Sequence, residues 1–258
     1  MGIVVLGAGG RLGTLLRPVL PGKATWLTRA DVDICDDTAL RTALRAAQTV
    51  ICMAGVATDH PEQVDRNIDL AKRTLDAAAQ VGAGRVLLFS SAAVYGNAPG
   101  CLSEDHLAVP VSSYGKAKRD MERMAATHRH SNTVLRLGNV AGADAILFGW
   151  QSGFALDQLT DGTTPRRSYI GPNALARTLW DLAAAPSLPA RLNVAGPGCV
   201  QMGALLDAAG LAWTTRPATP ATIPSVNLDI TRLRTFIDFK AWEGTPDGIV
   251  ADWQNRLS

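Results

Sequence analysis

The chain has 258 residues, of which 47% are hydrophobic and 19% charged, and a formal net charge of +2. This length suffices for one large domain, or for one domain with a lobe added to it. The basic residues are scattered, which gives no indication of a nucleic-acid partner. The sequence shows neither a basic leader nor an apolar stretch of membrane-spanning length, so we expect a cytoplasmic protein without a membrane partner. The four cysteines have no metal-ligand spacing, and we expect them to be reduced and to hold no metal.

The first thirteen residues carry the clearest motif, a short continuous apolar run followed by a glycine-rich turn. Such a run is typical of a buried parallel strand. Gly7 would make the tight turn, Gly10 would admit a pyrophosphate, and Gly13 would let the following helix lie close to the sheet. The pattern predicts a dinucleotide site that Arg11 and Leu12 also contact. The alternative is a flexible N-terminal turn.

Apolar runs alternate with helical patterns along the rest of the chain, which is typical of a parallel sheet covered on both faces. We therefore predict an α/β fold, a Rossmann-type doubly wound parallel sheet with a small C-terminal lobe. The predicted strands cover residues 3–6, 24–27, 49–53, 86–89 and 191–194, with a further strand that ends at residues 33–34.

The residues at the end of the second predicted strand indicate whether the cofactor is NAD or NADP. An NAD-binding protein usually has an acidic residue here for the adenosine ribose, whereas an NADP-binding protein has a cation for the extra phosphate. This chain has Thr28 and Arg29 at that position. We therefore expect NADP, bound through Arg29. NAD is the alternative, because Asp31 follows two residues later.

Two further segments are candidates for contact with the cofactor. Asp33 could accept a hydrogen bond from the adenine amino group while Ile34 packs on the ring. The alternative is that an aspartate shortly after them, Asp36 or its neighbour, simply caps the next helix. Ala54 and Gly55 follow the predicted strand 49–53, and residues this small would let a cofactor lie over the end of the strand.

A serine, a tyrosine and a lysine form the candidate chemical group. Ser91 comes off the predicted strand 86–89 at the carboxyl edge, where open α/β sheets bind ligands. If a helix begins at Tyr114, then Tyr114 and Lys118 stand one turn apart on one face. A free phenol titrates at about 10, so proton transfer near neutrality needs a cation close by. The alternative is a surface helix with an ordinary aromatic residue and a solvated amine.

With these motifs the chain resembles the short-chain dehydrogenase/reductase superfamily, in its extended branch of nucleotide-sugar epimerases, dehydratases and reductases. The motifs follow one another in family order over about the first three quarters of the chain. They are the glycines at 7, 10 and 13, Asp33-Ile34, Ala54-Gly55, Asn67, the segment 90–96, Ser103-Glu104-Asp105, and the segments 114–118, 136–139 and 193–196.

The resemblance implies an NAD(P)-dependent epimerase or reductase that acts on a nucleotide-sugar or a similar polar carbonyl or hydroxyl compound. Tyr114 would be the acid/base, while Lys118 would bind the nicotinamide ribose and lower the pKa of the tyrosine; both would contact the cofactor. Ser91 would bond the substrate oxygen that is oxidised or reduced. Asn67 would be the family's structural and proton-relay asparagine beside the cofactor, and Asn139 would face the sugar or its diphosphate.

The chain also departs from the family pattern. Residues 1–140 are predicted to form the dinucleotide-binding domain, completed by about residues 171–195, which leaves only residues 141–170 and 196–258 for a substrate lobe. Arg167, next to another arginine, could clamp a phosphate or carboxylate of the substrate, although such a pair can also be merely solvated. Alanines stand after Ser91 where dehydratases of the family carry acidic residues, so dehydration is disfavoured.

Two questions remain open from the sequence. A non-catalytic, NAD(P)-binding redox sensor is the alternative to an enzyme, although a pure binder has no need of Tyr114. Relatives often form homodimers through the helices that correspond here to residues 65–79 and 115–126, so we expect that a homodimer of this kind could form.

Overall fold

The computed structural model describes residues 2–56 and 66–255. Its strands are Ile3–Leu6 (β1), Ala24–Leu27 (β2), Thr49–Cys52 (β3), Arg85–Ser91 (β4), Cys101–Leu102 (β5), Asn132–Leu137 (β6), Asn139–Val140 (β7), Ala155–Gln158 (β8), Arg166–Arg167 (β9), Tyr169–Ile170 (β10), Arg191–Val194 (β11), Val200–Gln201 (β12), Thr214–Pro217 (β13) and Ser225–Leu228 (β14). Its α-helices are Arg11–Leu16 (α1), Asp37–Leu44 (α2), Arg66–Val81 (α3), Ser113–Thr127 (α4), Pro172–Ala184 (α5), Met202–Ala208 (α6) and Pro246–Gln254 (α7).

A sheet of six parallel strands forms the centre of the molecule, in the order β11-β6-β4-β3-β1-β2. β1 pairs with β2 on one side and with β3 on the other. The winding of the chain therefore reverses at β1. In doubly wound sheets, ligands bind outside the carboxyl ends of the strands at such a reversal. The predicted α/β fold with a doubly wound parallel sheet is confirmed.

The alternating side chains of β1 face two separate layers of the core. Ile3 and Val5 belong to an apolar cluster that includes residues of α5, whereas Val4 and Leu6 belong to one that includes residues of α3. Side chains of a strand point alternately to opposite faces of the sheet. Because helices cover both faces, each residue of β1 is buried, which explains why the strand reads as an uninterrupted apolar run.

A third apolar cluster lies in the C-terminal part of the chain. Its buried members are Ala141, Ile146, Leu147, Leu156, Tyr169, Val200, Leu205, Leu206, Ile249 and Val250. A small sheet in the order β12-β9-β14-β5 also lies outside the main sheet. The boundaries predicted for the two domains stay a prediction.

The prediction of a strand that ends at Asp33 and Ile34 is wrong. Both residues lie in a loop between β2 and α2, and β2 is the edge of the sheet. The carboxylate of Asp33 accepts from the backbone N–H of Cys35 at 3.0 Å. Asp36 caps α2, because its carboxylate accepts from the N–H groups of the second and third residues after it. Short polar side chains that bond the neighbouring backbone in this way compete with strand pairing.

Other predicted elements shift only at their ends. The strand predicted at residues 86–89 extends over Arg85–Ser91, so Ser91 is its last residue. The helix predicted at residues 65–79 is Arg66–Val81, and residue 65 lies outside the described residues. In the part of the chain that the structure describes, no helix has both the length and the apolar character needed to span a membrane.

Candidate active site

The glycine-rich turn after β1 leaves its backbone open on one side. Gly7 has a φ of +82°, and a Cβ there would lie 2.6 Å from the backbone nitrogen of Ala54. A Cβ on Gly13 would collide with the carbonyl oxygen of Ala8, so this glycine lets α1 pack against the turn. At Gly10, a Cβ would meet only the carbonyl oxygen of Gly7, at 3.4 Å. The turn therefore has the close contacts and the open approach that a pyrophosphate requires.

A cavity of about 480 Å³ extends from this turn towards the end of β2. Its wall includes seven residues that the sequence predicts to bind the cofactor, namely Gly7, Gly10, Arg29, Asp33, Ile34, Ala54 and Gly55. The guanidinium of Arg29 lies 3.7 Å from the carboxylate of Asp33, and the Arg29 side chain is 75% exposed. Although Asp33 and Ile34 lie in a loop rather than a strand, the structure still brings them to this cavity.

The carboxylate of Asp31 is hydrogen-bonded within its own turn. It accepts hydrogen bonds from the backbone N–H of Thr28 at 2.8 Å and from the Thr28 hydroxyl at 2.7 Å. These bonds hold the pKa of Asp31 below its usual value. Asp31 is the acidic residue nearest in sequence to the position expected to bind the ribose, and here it stabilises its own turn.

A second cavity, of about 620 Å³, adjoins the first along the glycine turn. Gly7, Gly10, Met53, Gly55 and Val56 line both cavities. The second cavity is also lined by the predicted chemical group of Ser91, Tyr114 and Lys118, and by four further predicted contact residues, Arg11, Leu12, Gly13 and Asn139. The structure thus brings most of the predicted site residues to one continuous crevice at the carboxyl edge of the sheet.

Tyr114 and Lys118 lie one turn apart on α4 and line the second cavity together, as predicted, but the ammonium of Lys118 is hydrogen-bonded elsewhere. Lys118 is buried, and its ammonium donates a 2.8 Å hydrogen bond to the carbonyl oxygen of Phe89. It lies 5.8 Å from the centroid of the Tyr114 ring. Burial lowers the pKa of Lys118 from 10.5 to about 8, against the opposing effects of Cys52 and a nearby glutamate.

The pKa of Tyr114 is shifted as well. Burial raises it, while a hydrogen bond with Ser91 acts in the opposite direction. Desolvation of the phenolate therefore dominates in the protein by itself, where the ammonium of Lys118 is directed at Phe89. That Lys118 lowers the pKa of Tyr114 stays a prediction. Ser91 Oγ in addition accepts from the N–H of Ala93 at 3.1 Å.

Asn67 lies on the first turn of α3 and is buried. Its amide accepts from the N–H of Val56 at 3.1 Å and donates to the carbonyl of Val56 at 3.0 Å, which pins the segment after β3. A Cβ on Gly55 would lie 2.6 Å from Asn67 Oδ1 and 3.1 Å from Lys118 Nζ. Only a glycine at position 55 lets the asparagine and the lysine approach this backbone so closely.

A buried ion pair that the sequence analysis did not predict joins α4 to β6. Arg136 Nη2 lies 2.6 Å from a carboxylate oxygen of Glu122, and Arg136 Nη1 donates to the Tyr95 hydroxyl at 2.9 Å. The hydroxyl of Ser90 donates to the other oxygen of Glu122 at 2.5 Å. The sequence held a signal for this pair, since Glu122 follows Lys118 by one helical turn and Arg136 interrupts an apolar strand.

A carboxylate in the wall of the second cavity was also missed. Asp144, which is 8% exposed, lines this cavity with Asn139. The hydroxyl of Tyr169 donates to Asp144 Oδ2 at 2.8 Å, and the amide of Asn139 donates to the same hydroxyl at 3.4 Å. No residue spacing signals this cluster, because Tyr169 lies 25 residues beyond Asp144.

Arg167 does not line the second cavity. It lies in β9, and its guanidinium donates to the carbonyl oxygen of Arg166 at 2.7 Å. Its role as a substrate ligand stays a prediction. Within residues 2–56 and 66–255, no group of three or more histidine, cysteine, aspartate or glutamate side chains is arranged to hold a metal ion.

Solved structures of similar fold cover the whole length of the chain. MoeE5 in complex with UDP-glucuronic acid and NAD is 22% identical, with a TM-score of 0.78 over 100% of both chains. UDP-glucose 4-epimerase of Thermus thermophilus in complex with NAD is 19% identical, with a TM-score of 0.74 over 98% of this chain and 99% of that one. The dTDP-glucose 4,6-dehydratase DesIV of Streptomyces venezuelae, with NAD bound, is 18% identical, with a TM-score of 0.78 over 99% of this chain and 97% of that one. At these identities the likeness shows the fold.

No curated protein matches the chain. The model of the NAD dependent epimerase/dehydratase family matches residues 3–151, which is more than half of the 258 residues. The match spans the glycine turn and the serine, tyrosine and lysine of the second cavity, and it confirms the resemblance stated from the sequence. It favours an enzyme over a non-catalytic sensor. The chain belongs to the NAD dependent epimerase/dehydratase family.

Proposed function

We propose that this protein uses NAD(P) to oxidise or reduce an oxygen-bearing carbon of a nucleotide-sugar, or to epimerise that carbon by transient oxidation. The observation that carries the proposal is the single cavity in which Ser91, Tyr114 and Lys118 meet beside the glycine turn. A dinucleotide-binding protein without turnover would need the turn but not this group of side chains.

The residues of the two cavities fit a dinucleotide. Because the cavities adjoin, one elongated ligand can run from Arg29 to Lys118. Gly10 would admit its pyrophosphate, Asp33 and Ile34 would hold the adenine, and Lys118 would bind the nicotinamide ribose. When bound in its oxidised form, the nicotinamide accepts a hydride at C4 and adds a positive charge to the cavity.

In this proposal Tyr114 transfers the proton and Ser91 positions the substrate oxygen. The phenolate of Tyr114 takes the proton of the substrate hydroxyl during oxidation, and the phenol returns a proton during reduction. Ser91 donates its hydroxyl to the same substrate oxygen. Burial raises the pKa of Tyr114, so formation of the phenolate depends on cations in the cavity, of which the protein supplies Lys118. Asn139, which lines the same cavity, would face the sugar or its diphosphate.

Two contacts at the end of β2 support NADP as the cofactor. Asp31 Oδ2 accepts two hydrogen bonds from Thr28, which hold this carboxylate within its own turn. The exposed guanidinium of Arg29 lies in the wall of the first cavity, where it could bind the additional phosphate of NADP. NAD, which is present in the similar structures, is the alternative.

Nucleotide-sugars are the proposed substrates because several similar structures contain them. MoeE5 has been solved with UDP-glucuronic acid and with UDP-glucose. In this chain the alanines after Ser91 supply no acid or base for elimination, so we propose redox chemistry or epimerisation rather than dehydration. Arg167 would reach the nucleotide phosphates only if its bond to the carbonyl of Arg166 opens.

A homodimer through α3 and α4 is a further part of the proposal. The outward surface of α3 carries the ion pairs Lys72–Asp76 and Arg73–Asp69, with N–O distances of 2.6 and 2.9 Å. An interface on this surface would therefore be polar. Sedimentation velocity tests it directly, since a monomer at high concentration would overturn this part of the proposal.

The function is tested by titrating the protein with NAD⁺, NADP⁺ and their reduced forms, and then screening nucleotide-sugars. We expect either the absorbance of reduced nicotinamide, or a new sugar epimer when the cofactor is recycled. Bound cofactor without either product across the panel would overturn the enzymatic proposal. Arg29→Ala should weaken NADP binding about tenfold or more and leave NAD binding nearly unchanged. Arg45→Ala, which removes an exposed arginine elsewhere, is the matched control.

A further inference from the structure

Asp144 is a buried carboxyl group in the wall of the second cavity, on a different part of the chain from the serine, tyrosine and lysine. It lies in the turn after β7, whereas Ser91 ends β4 and Tyr114 and Lys118 belong to α4. All four side chains line the same cavity of about 620 Å³. A substrate that brings a carbon to Tyr114 therefore shares this space with Asp144.

The hydrogen bonds of Asp144 come from uncharged groups, namely the Tyr169 hydroxyl and backbone N–H groups of its own turn. Oδ2 accepts from the hydroxyl of Tyr169 at 2.8 Å, and Oδ1 accepts from the N–H of Leu147 at 3.3 Å. Among the described residues, no lysine, arginine or histidine contributes to the pKa shift of Asp144. When ionised, Asp144 therefore brings to the cavity a negative charge that is not paired with a cation.

The turn that carries Asp144 is held by other contacts. The guanidinium of Arg11 donates to the carbonyl oxygen of Ala143 at 2.8 Å and lies 4.0 Å from the centroid of the Phe148 ring. A cation over an aromatic ring is itself a favourable contact. Arg11 thus holds the turn on both sides of Asp144, in addition to the hydrogen bond from the Leu147 N–H to the carboxylate.

We propose that Asp144 determines substrate specificity by accepting a hydrogen bond from a hydroxyl or amino group on the sugar ring near the reacting carbon. This inference rests on the proposed function. The negative charge of Asp144 would favour a hydroxyl or ammonium donor, whereas the carboxylate of a uronic acid would meet a like charge in the wall of the cavity. The preferred substrate class is thus a neutral or amino nucleotide-sugar, and nucleotide uronates are disfavoured. Burial raises the pKa of Asp144 and the Tyr169 hydrogen bond opposes this, so the preference is expected to weaken as the pH falls.

The test compares the binding of UDP-glucose and UDP-glucuronic acid to the cofactor-loaded protein by calorimetry. Asp144→Asn keeps the shape of the side chain and one acceptor oxygen, but removes the charge. We expect the wild type to prefer UDP-glucose, and Asp144→Asn to reduce that preference about tenfold or more. Asp161→Asn, which removes the same charge from an exposed turn, should leave the preference unchanged.

Two results would overturn the inference: an equal preference in the wild type and Asp144→Asn, or no measurable preference for UDP-glucose in the wild type. Tyr169→Phe retains the carboxylate and should retain the preference. If circular dichroism shows that Asp144→Asn does not fold, Asp144→Ser provides the same comparison. The proposed function fails separately, since UDP-glucose that binds with the predicted preference but is never turned over would contradict catalysis and leave the role of Asp144 standing.

Discussion

The ammonium of Lys118 lies 2.8 Å from the carbonyl oxygen of Phe89 and donates a hydrogen bond to it. This contact ties α4 to β4, two residues before Ser91 at the end of the strand. It also accounts for the charge being held in a buried position, because the carbonyl replaces part of the hydration that the ammonium loses. The lysine is thus fixed in the wall of the second cavity, with its Nζ 5.8 Å from the centroid of the Tyr114 ring.

Lys118 makes the stability of the protein depend on pH. Its pKa is about 8 in the folded protein, against 10.5 for an ordinary lysine. Below pH 8 both states carry the proton, and the folded protein bears the full penalty of the buried charge. Between about pH 8 and 10.5 the unfolded chain binds more protons, so stability rises with pH. Relative to Lys118→Met, the wild type should gain about 2 kcal/mol from pH 7.5 to 10 in urea unfolding.

The matched control for this prediction is Lys116→Met, which removes an exposed amine from the same helix. A difference between wild type and Lys118→Met that stays constant with pH would show that Lys118 is not buried as a cation.

Alanine substitutions of the two glycines at the start of α1 should have different effects, one on stability and the other on cofactor binding. Gly13→Ala places a methyl group against the carbonyl oxygen of Ala8, so it should lower the free energy of unfolding by about 1–3 kcal/mol. Gly10→Ala meets no such obstacle, since the nearest atom lies at 3.4 Å. Its stability should stay within about 0.5 kcal/mol of wild type, while the methyl group enters the space for the pyrophosphate and weakens cofactor binding about tenfold or more. Unaffected cofactor binding in a folded Gly10→Ala protein would contradict the site assigned to the turn.

Replacing only one partner of the Glu122–Arg136 pair should lower the stability of the protein. Both side chains are buried, with exposures of 5% and 1%. Glu122→Gln leaves the guanidinium of Arg136 without a counter-charge and should destabilise the protein by about 3 kcal/mol. The double variant Glu122→Gln/Arg136→Met removes the charge as well, so its loss should be smaller than the sum of the two single losses. Denaturant unfolding of the four proteins measures this, and strictly additive losses would show that the pair is not coupled.

Local spacing explains what the sequence predicted well. The glycine turn, and the placement of Tyr114 and Lys118 on one helix, follow from distances of a few residues along the chain. The partners of Lys118 and Asp144 could not be inferred in this way. Phe89 precedes Lys118 by 29 residues, and Tyr169 follows Asp144 by 25. Such pairs are set by how strands and turns meet at the sheet edge, which the sequence pattern does not specify.

The false strand at Asp33 has a comparable cause. An aspartate before an apolar residue is compatible with a strand end, but the pattern does not show whether the carboxylate will bond its own backbone. Here it accepts from Cys35, and Asp36 caps α2. Asp33 and Ile34 nevertheless line the first cavity, because the loop that carries them runs past the end of β2.

The role of Tyr114 as the acid/base is the central claim, and Tyr114→Phe tests it most directly. The substitution keeps the ring and removes the hydroxyl, so cofactor affinity should stay close to that of the wild type. The rate of hydride transfer, followed in a single turnover by the absorbance of reduced nicotinamide, should fall about 10²–10⁴-fold. A Tyr114→Phe protein that binds the cofactor normally and turns over substrate at the wild-type rate would contradict the account.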